Sequence, residues 1–415
     1  MMQALYSRSA ESVIVHAEKV KQSGSGKFME KFYVGYGHAS IADCGSTTIF
    51  IEGVSMLVAK AVQDWPLYSG QETSSRYIDM SKQEIVDPVG TSRSRVVLDK
   101  WMEFYTNNQT GVAEHLRQKY KKRIAEDENI YERAIKARTF DILRGFLPAG
   151  VTTQLSWHTN LRQAHDKLSL LNYWPLPEVR AVADSIYNRL RGRYGHSFSH
   201  KRDEDQEKYR ELSVGEHTYF LEKKYPGDFR AVTNIRSNDL SKYYELLVKR
   251  PPRTNLPHFL SEYGLCTFEF LLDFGSFRDI HRHRNGVCRM PLLTTRFGFN
   301  SWYLEQLPES SVRQARTLIR EQKTAIAELK TTPQFAQYYI AMGFNVSCRV
   351  SYGLPASVYV TELRSGKMVH PTLRRVAYQM DKFLRRKFPL LKLHSDLDPD
   401  DWDVRRGQQD IEEKK

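Results

Sequence analysis

The chain is poor in cysteine: its 415 residues include four, Cys44, Cys266, Cys288 and Cys348. They lie far apart with no CxxC pair, which argues against a disulfide framework or a thiolate zinc site and suits reduced thiols. Long apolar runs are also missing, and no window approaches the roughly 18 uninterrupted apolar residues of a membrane helix. The opening stretch, MMQALYSRSAESVIVHAEKV, lacks a basic segment followed by an apolar one. No signal peptide is therefore expected, and the expected location is cytoplasmic. Metal-ligand spacing is absent among the histidines; His281 and His283 alternate too closely for one helical face. Acidic residues are in deficit, 49 Asp and Glu against 62 Lys and Arg, leaving a net charge of +13. That excess calls for anionic partners, either nucleic acid or phosphorylated small molecules. With 40% hydrophobic and 27% charged residues, the composition is that of a globular protein. The length accommodates two domains, each with its own core.

Patterning along the chain repeats itself. TTIFIEGVSMLVAKAVQDW (47–65) starts as an apolar strand and continues at helical spacing, with Met56, Ala59, Ala61 and Val62 on one face. A turn-rich segment, PLYSGQETSSRY (66–77), follows, then charged helical sequence over 96–140, a break at LPAGVTTQ (147–154) and an amphipathic helix at 177–194. The second half runs in the same order. TFEFLLDFGSFRDIHRHR (267–284) is strand then helix, MPLLTTRFGF (290–299) is turn-rich, 309–330 is helical, and HPTLRRVAYQMDKFLRRKFP (370–389) closes it. Pro371 and Arg374 stand 194 positions after Pro177 and Arg180. A repeat of that period indicates domain duplication, not a solenoid. The expected organisation is a first copy at 1–196, a polar linker at 197–217, a second copy at 218–395 and a charged tail at 396–415. The expected fold class is α+β: two diverged copies of a mixed-sheet domain with long helices, related by pseudo-twofold symmetry.

SGQETSSRY (69–77) combines one carboxylate, several hydroxyls and one arginine in a polar turn. Backbone amides, hydroxyls and a guanidinium suit a phosphate cradle, and a solvated loop is the plain alternative. Together with GHASIAD (37–43), these residues resemble the second half of the signature RHRxxSxNExSxRY of the flavin-dependent thymidylate synthases. Ser69, Glu72, Ser74, Arg76 and Tyr77 match, with Gln71 in place of the family's Asn. The RHR half is absent there and stands in the second copy as Arg282, His283 and Arg284. Downstream, the first copy keeps the family's Leu-Pro arginine, Arg144, and its Asn-x-Arg, Asn160 and Arg162. The second copy keeps the later arginine, Arg364, inside ELRSGKMVHPTLRR. The resemblance covers most of both halves and is weak from 197 to 255.

In that family each site is assembled between subunits, so complementary losses imply one composite site within this chain and a decayed counterpart. The resemblance implies conversion of dUMP to dTMP, with methylenetetrahydrofolate giving the one-carbon unit and FAD, recharged by NADPH, the hydride. Arg364 becomes the catalytic residue that stabilises the N3 anion of the uracil, because a guanidinium stays charged at neutral pH. Glu72, Ser74, Arg76, Arg144, Arg282 and Arg364 become the dUMP-binding set. Ser40, Glu72, Asn160, Arg162, Arg282, His283 and Arg284 become the FAD-binding set, with His38 beside Ser40. Ser74 has no paired base and is assigned binding only. The family's tetramer implies a homodimer of four domains here.

Three departures stand out: Gln71 for Asn, the displaced RHR triplet, and Asp279 where the substrate-binding glutamine belongs. They leave open another uridylate or another C5 modification as the reaction. Two further readings compete, a nucleic-acid-binding protein with KYKKR (119–123) and LRRKFP (384–389) as basic patches, and a catalytically silent partner subunit. Aromatic residues do not interleave with the basic runs, so nucleic acid is not the expected partner.

Overall fold

The computed structural model of the protein describes residues 5–7, 9–23, 39–198, 203–220, 227, 229–398 and 402–405. The chain forms two compact units, 1–72 with 153–218 and 73–152 with 219–415. They differ from the expected contiguous copies, because residues 73–152 fold with the second half of the sequence.

In the first unit, β1 (Ser46–Ser55) pairs with β2 (Thr152–Asn160), whose first residue belongs to the other unit. β1 passes directly into the helix Met56–Gln63, all eight residues of which are buried. Ser55 caps that helix, its hydroxyl accepting from Val58 N at 3.2 Å and donating to Glu178 at 2.6 Å. Residues Ser69 and Glu72 bridge antiparallel to His158 and Leu155, so the loop carrying SGQE is pinned along β2. β2 leads into the helix Leu161–Leu171 and then Pro177–Arg193, where Pro177 occupies a first-turn position that needs no N–H. The expected linker contains a helix instead, Glu204–His217, capped by Asp203. Only Val214 is buried on it. Polar contacts hold it: Tyr173 Oη donates to Glu207 at 2.6 Å, and His217 Nε2 lies 2.9 Å from Asp64. Low apolar content therefore misled the sequence reading at this point.

In the second unit, a four-stranded sheet runs in the order β3 (Phe229–Thr233), β4 (Leu265–Asp273), β6 (Asn345–Gly353), β5 (Val287–Cys288). Its ladders are antiparallel, where a mixed sheet was expected. Alternate β4 residues Cys266, Phe268, Phe270 and Leu272 are buried, the period-two pattern of a strand with one core face. That face meets the helix Pro371–Lys387, with Phe268 and Phe383 edge to face at 5.7 Å. β4 and β6 each turn straight into a helix, Phe274–Ile280 and Leu354–Ser365. Helices Ser92–Asn107, Gln109–Lys119, Glu128–Leu143 and Glu309–Glu328 also belong to the unit. Ser92–Asn107 attaches through an aromatic core of Trp101, Phe104, Phe146, Phe299 and Phe344. Gly145 admits the Tyr303 ring, which a Cβ there would meet at 2.6 Å. The protein is thus a mixed helix-and-strand structure with small antiparallel sheets.

Candidate functional site

A cleft of about 630 Å³ opens in the second unit. Its lining includes Ser74, Arg76 and Arg144 from the first half of the sequence and Arg282 and Arg364 from the second. Those five residues, expected to bind one substrate, are brought together. Arg278, Asp279, His370 and Tyr77 complete the charged and titratable lining. Five guanidiniums around one carboxylate make an anion site.

Acceptors hold Arg76, Arg144, Arg278 and Arg364, with Asp141 shared between the first two. Arg76 Nη2 lies 2.6 Å from the buried Asp141 carboxylate, and its Nη1 donates to Met368 O at 2.8 Å. Burial works to lower the Arg76 pKa, but Asp141 outweighs it and the net shift is upward. Arg144, at the end of the Glu128–Leu143 helix, donates through Nη2 to Ser276 Oγ at 3.2 Å and lies 3.5 Å from Asp141. Its pKa is likewise raised, Asp141 with Tyr303, Asp279 and Asp273 overcoming burial. Arg278 Nη1 donates to Ser75 Oγ at 3.3 Å, tying its helix to the 74–77 loop. Beneath the cleft, Asp273 caps the Phe274–Ile280 helix by accepting from Ser276 N at 2.8 Å. The same carboxylate accepts from Tyr303 Oη and Thr372 Oγ1, both at 2.6 Å. Ser276 therefore links Arg144 to this buried polar group, within 3.1 Å of His370 Nδ1.

Arg364 is oriented by two acceptors. Its Nε donates to His283 Nε2 at 2.7 Å and its Nη2 to Asp279 O at 2.6 Å. Burial, then Arg364, Arg284 and Arg282, push His283 down to about 3 against the pull of Asp279. The imidazole is neutral at physiological pH and serves as an acceptor. Burial likewise lowers the Arg364 pKa, opposed by Asp279. A second cleft of about 510 Å³ shares Arg282 with the first and is lined by His283, Arg284, Leu256, Pro355 and Tyr359. Its cationic rim and apolar wall suit a ligand with both rings and phosphates. The sequence DIHRHRNGV thus places its charges at a helix end, where the dipole favours cations, and between two clefts.

Other expected site residues lie in the first unit, with partners of their own. Glu72 is buried, its carboxylate 2.8 Å from Lys60 Nζ and 2.9 Å from Gln63 Nε2. Asn160 caps the Leu161–Leu171 helix through Gln163 N at 2.8 Å. Arg162 makes a two-point contact with Asp43, at 2.8 and 2.7 Å. Ser40 belongs to the 3-10 turn Ala39–Cys44, and His38 lies outside the described residues. Sequence reasoning missed Arg278, Asp141, Ser276 and His370. Arg278 had a detectable signal, standing one helical turn before Arg282. Asp141 had a weaker one, three residues before Arg144. Among the described residues no helix is long and apolar enough to cross a membrane.

The chain is similar in sequence to several known proteins. A UPF0159 protein of Chlamydia muridarum is 25% identical over 430 residues, covering 88% of this chain and 79% of its own length. One from Chlamydia pneumoniae is 24% identical, covering 89% and 81%, and one from Thermoplasma acidophilum is 21% identical, covering 93% and 92%. The family described as thymidylate synthase complementing protein matches residues 1–194, which include the 74–77 loop and Arg144. By that match, residues 1–194 of this chain resemble the thymidylate synthase complementing family.

Proposed function

We propose that the chain is a flavin-dependent thymidylate synthase that converts dUMP to dTMP, taking the one-carbon unit from methylenetetrahydrofolate. The observation that carries this reading is the convergence of Ser74, Arg76 and Arg144 with Arg282 and Arg364 around one cleft. Arg76 and Arg144, with the Ser74 hydroxyl, hold the 5′-phosphate through charge-assisted hydrogen bonds. Arg364, fixed by neutral His283 and by Asp279 O, faces the pyrimidine and stabilises negative charge at N3. Ionising N3 pushes electron density toward C5, an otherwise weak nucleophile, and a preoriented guanidinium supplies that stabilisation without reorganising.

Arg282, His283 and Arg284 hold FAD in the adjoining cleft, two guanidiniums suiting a pyrophosphate and Tyr359 with Pro355 its ring systems. Bound there, the flavin supplies the hydride, recharged by NADPH. Glu72, Asn160 and Arg162 belong to the counterpart site, which has decayed into structural ion pairs and caps. Duplication is supported by the repeated order of elements, a strand running into a helix twice in each unit. We assign the protein to the cytoplasm, as a homodimer carrying four such domains.

The test is a visible spectrum of the purified protein and of Arg282→Ala, followed by a dUMP methylation assay on wild type and Arg364→Ala. Oxidised-flavin absorbance weakened in the first variant, and dTMP formation lost in the second, are expected. A protein that takes up no FAD and makes no dTMP would sink this reading. The competing nucleic-acid reading predicts a binding constant that falls steeply with salt.

A further inference from the structure

The Asp279 carboxylate is out of place in a cage built for anions. It lies 3.7 Å from Arg282 Nε and 3.9 Å from Arg144 Nη2, distances of ion pairing without a hydrogen bond. The neighbouring guanidiniums direct their close donors elsewhere: Arg364 to His283 and to the Asp279 backbone carbonyl, Arg144 to Ser276, Arg76 to Met368 O. The carboxylate is 21% exposed and lines the cleft. Burial would raise its pKa, but Arg364, Arg144, Arg282 and Arg76 hold it well below the usual carboxylate range. An ionised acceptor with no close donor, facing a cavity, is satisfied only by a donor that arrives with a ligand or with water.

Its position narrows the ligand group. Asp279 stands between the Arg76–Arg144 end and the Arg282–Arg364 end. On the reading proposed above, on which this inference rests, those ends take the phosphate and the pyrimidine. The group between them in a nucleoside monophosphate is the pentose. We propose that Asp279 accepts a hydrogen bond from a sugar hydroxyl, so that the cleft selects a pentose 5′-phosphate over a bare anion. The negative charge weakens every phosphate contact in the cage, and only a hydroxyl-bearing ligand recovers the loss.

Binding to the full-length protein is measured by calorimetry for UMP, dUMP, 2′,3′-dideoxyuridine monophosphate, ribose 5-phosphate and inorganic phosphate. Wild type binds dUMP about tenfold more tightly than the dideoxy nucleotide, the size expected for a hydrogen bond to a charged group. Ribose 5-phosphate exceeds phosphate by a similar factor, and UMP against dUMP tells which hydroxyl is used. Asp279→Leu, close in size but with no acceptor, strengthens phosphate binding and brings the dUMP-to-dideoxy ratio to about one. Asp279→Asn strengthens phosphate binding equally but keeps part of the ratio, which separates charge from hydrogen bonding. Equal binding of UMP, dUMP and the dideoxy nucleotide by wild type overturns the inference, as does a ratio unchanged in both variants. If ribose 5-phosphate outbinds phosphate while no uridylate binds, the sugar contact stands and the thymidylate synthase reading falls.

Discussion

At the residue scale, fixed geometry distinguishes the arginines from a merely basic surface. Arg364 uses Nε and Nη2 on two acceptors, His283 and Asp279 O. Lysine keeps the charge but cannot reproduce that fork. Arg364→Lys is expected to lower kcat by about a hundredfold, roughly the cost of one preorganised donor, with a melting temperature within a few degrees of wild type; equal activity would remove Arg364 from the chemistry. His283 gives a pH signature. Its folded pKa, about 3, lies below the ordinary 6.5, so the unfolded chain binds the proton more tightly. Its contribution to stability is complete above pH 6.5 and is lost as pH falls toward 3. Thermal unfolding from pH 7 to 4 is expected to fall less steeply in His283→Gln than in wild type, and identical slopes would count against a neutral imidazole. Lys167 behaves in a related way. It is 1% exposed, burial pushes its pKa down to about 8, and its ammonium has Asp64 O at 2.8 Å and the Trp174 ring at 5.2 Å. Below pH 8 the fold carries the whole cost of that buried charge, about 3 kcal/mol from the shift. Lys167→Met removes the charge along with its one hydrogen bond, so a net gain of about 1–2 kcal/mol is expected at pH 7, shrinking toward pH 10. Denaturant titrations at the two pH values measure it.

At the element scale, the loop after the Met56–Gln63 helix shows how a likeness in sequence can carry different physics. Glu72 occupies a position expected to touch both nucleotide and flavin, yet its carboxylate is buried against Lys60, with side-chain exposures of 2% and 1%. Removing one partner of such a pair leaves an uncompensated charge, so Glu72→Ala is expected to cost about 3–5 kcal/mol. Lys60→Met combined with Glu72→Leu should return most of it. Urea denaturation of the two variants decides, and a Glu72→Ala protein of unchanged stability would restore Glu72 to the ligand-binding set. Elements with strong periodicity were readable in advance. β1 with its following helix, β4 with its following helix, and the Pro371–Lys387 helix all lie within a few residues of the expected bounds. β2, TTQLSWHTN, went unrecognised because seven of its nine residues are polar, and its pairing comes from partners distant in sequence. The Glu204–His217 helix was hidden for the opposite reason, since side-chain hydrogen bonds hold it with little apolar surface. In the cleft, resemblance to the family signature pointed to Arg76, Arg144, Arg282 and Arg364. Asp141, Ser276 and His370 act through those arginines, and their role follows from packing that no local pattern encodes.

At the scale of the whole molecule, the segment that matches the family and the unit that holds the cleft do not coincide. The match ends at residue 194, while residues 73–152 fold with 219–415. Backbone bonds join the two stretches, Gly150 N to Tyr338 O at 2.9 Å, Met342 N to Leu147 O at 2.8 Å and Gly343 N to Gly145 O at 2.7 Å. Side chains follow: Trp101 Nε1 donates to Tyr339 O at 3.0 Å, and buried Arg138 donates to Trp402 O at 2.9 Å. A fragment of residues 1–194 therefore carries the loop and Arg144 but exposes Trp101, Phe104 and Phe146, three large aromatics that are buried in the intact chain. Each large side chain left in water forfeits about 1.5–3 kcal/mol, a loss that a domain of ordinary stability cannot absorb. The fragment alone is expected to be insoluble or non-cooperative in thermal unfolding and to bind no nucleotide. Co-expressed with residues 195–415, it should recover a soluble complex and dUMP binding, because the contacts that build the cleft are noncovalent. A 1–194 fragment that folds cooperatively and binds dUMP unaided would overturn the composite cleft and return the site to a single copy of the family domain.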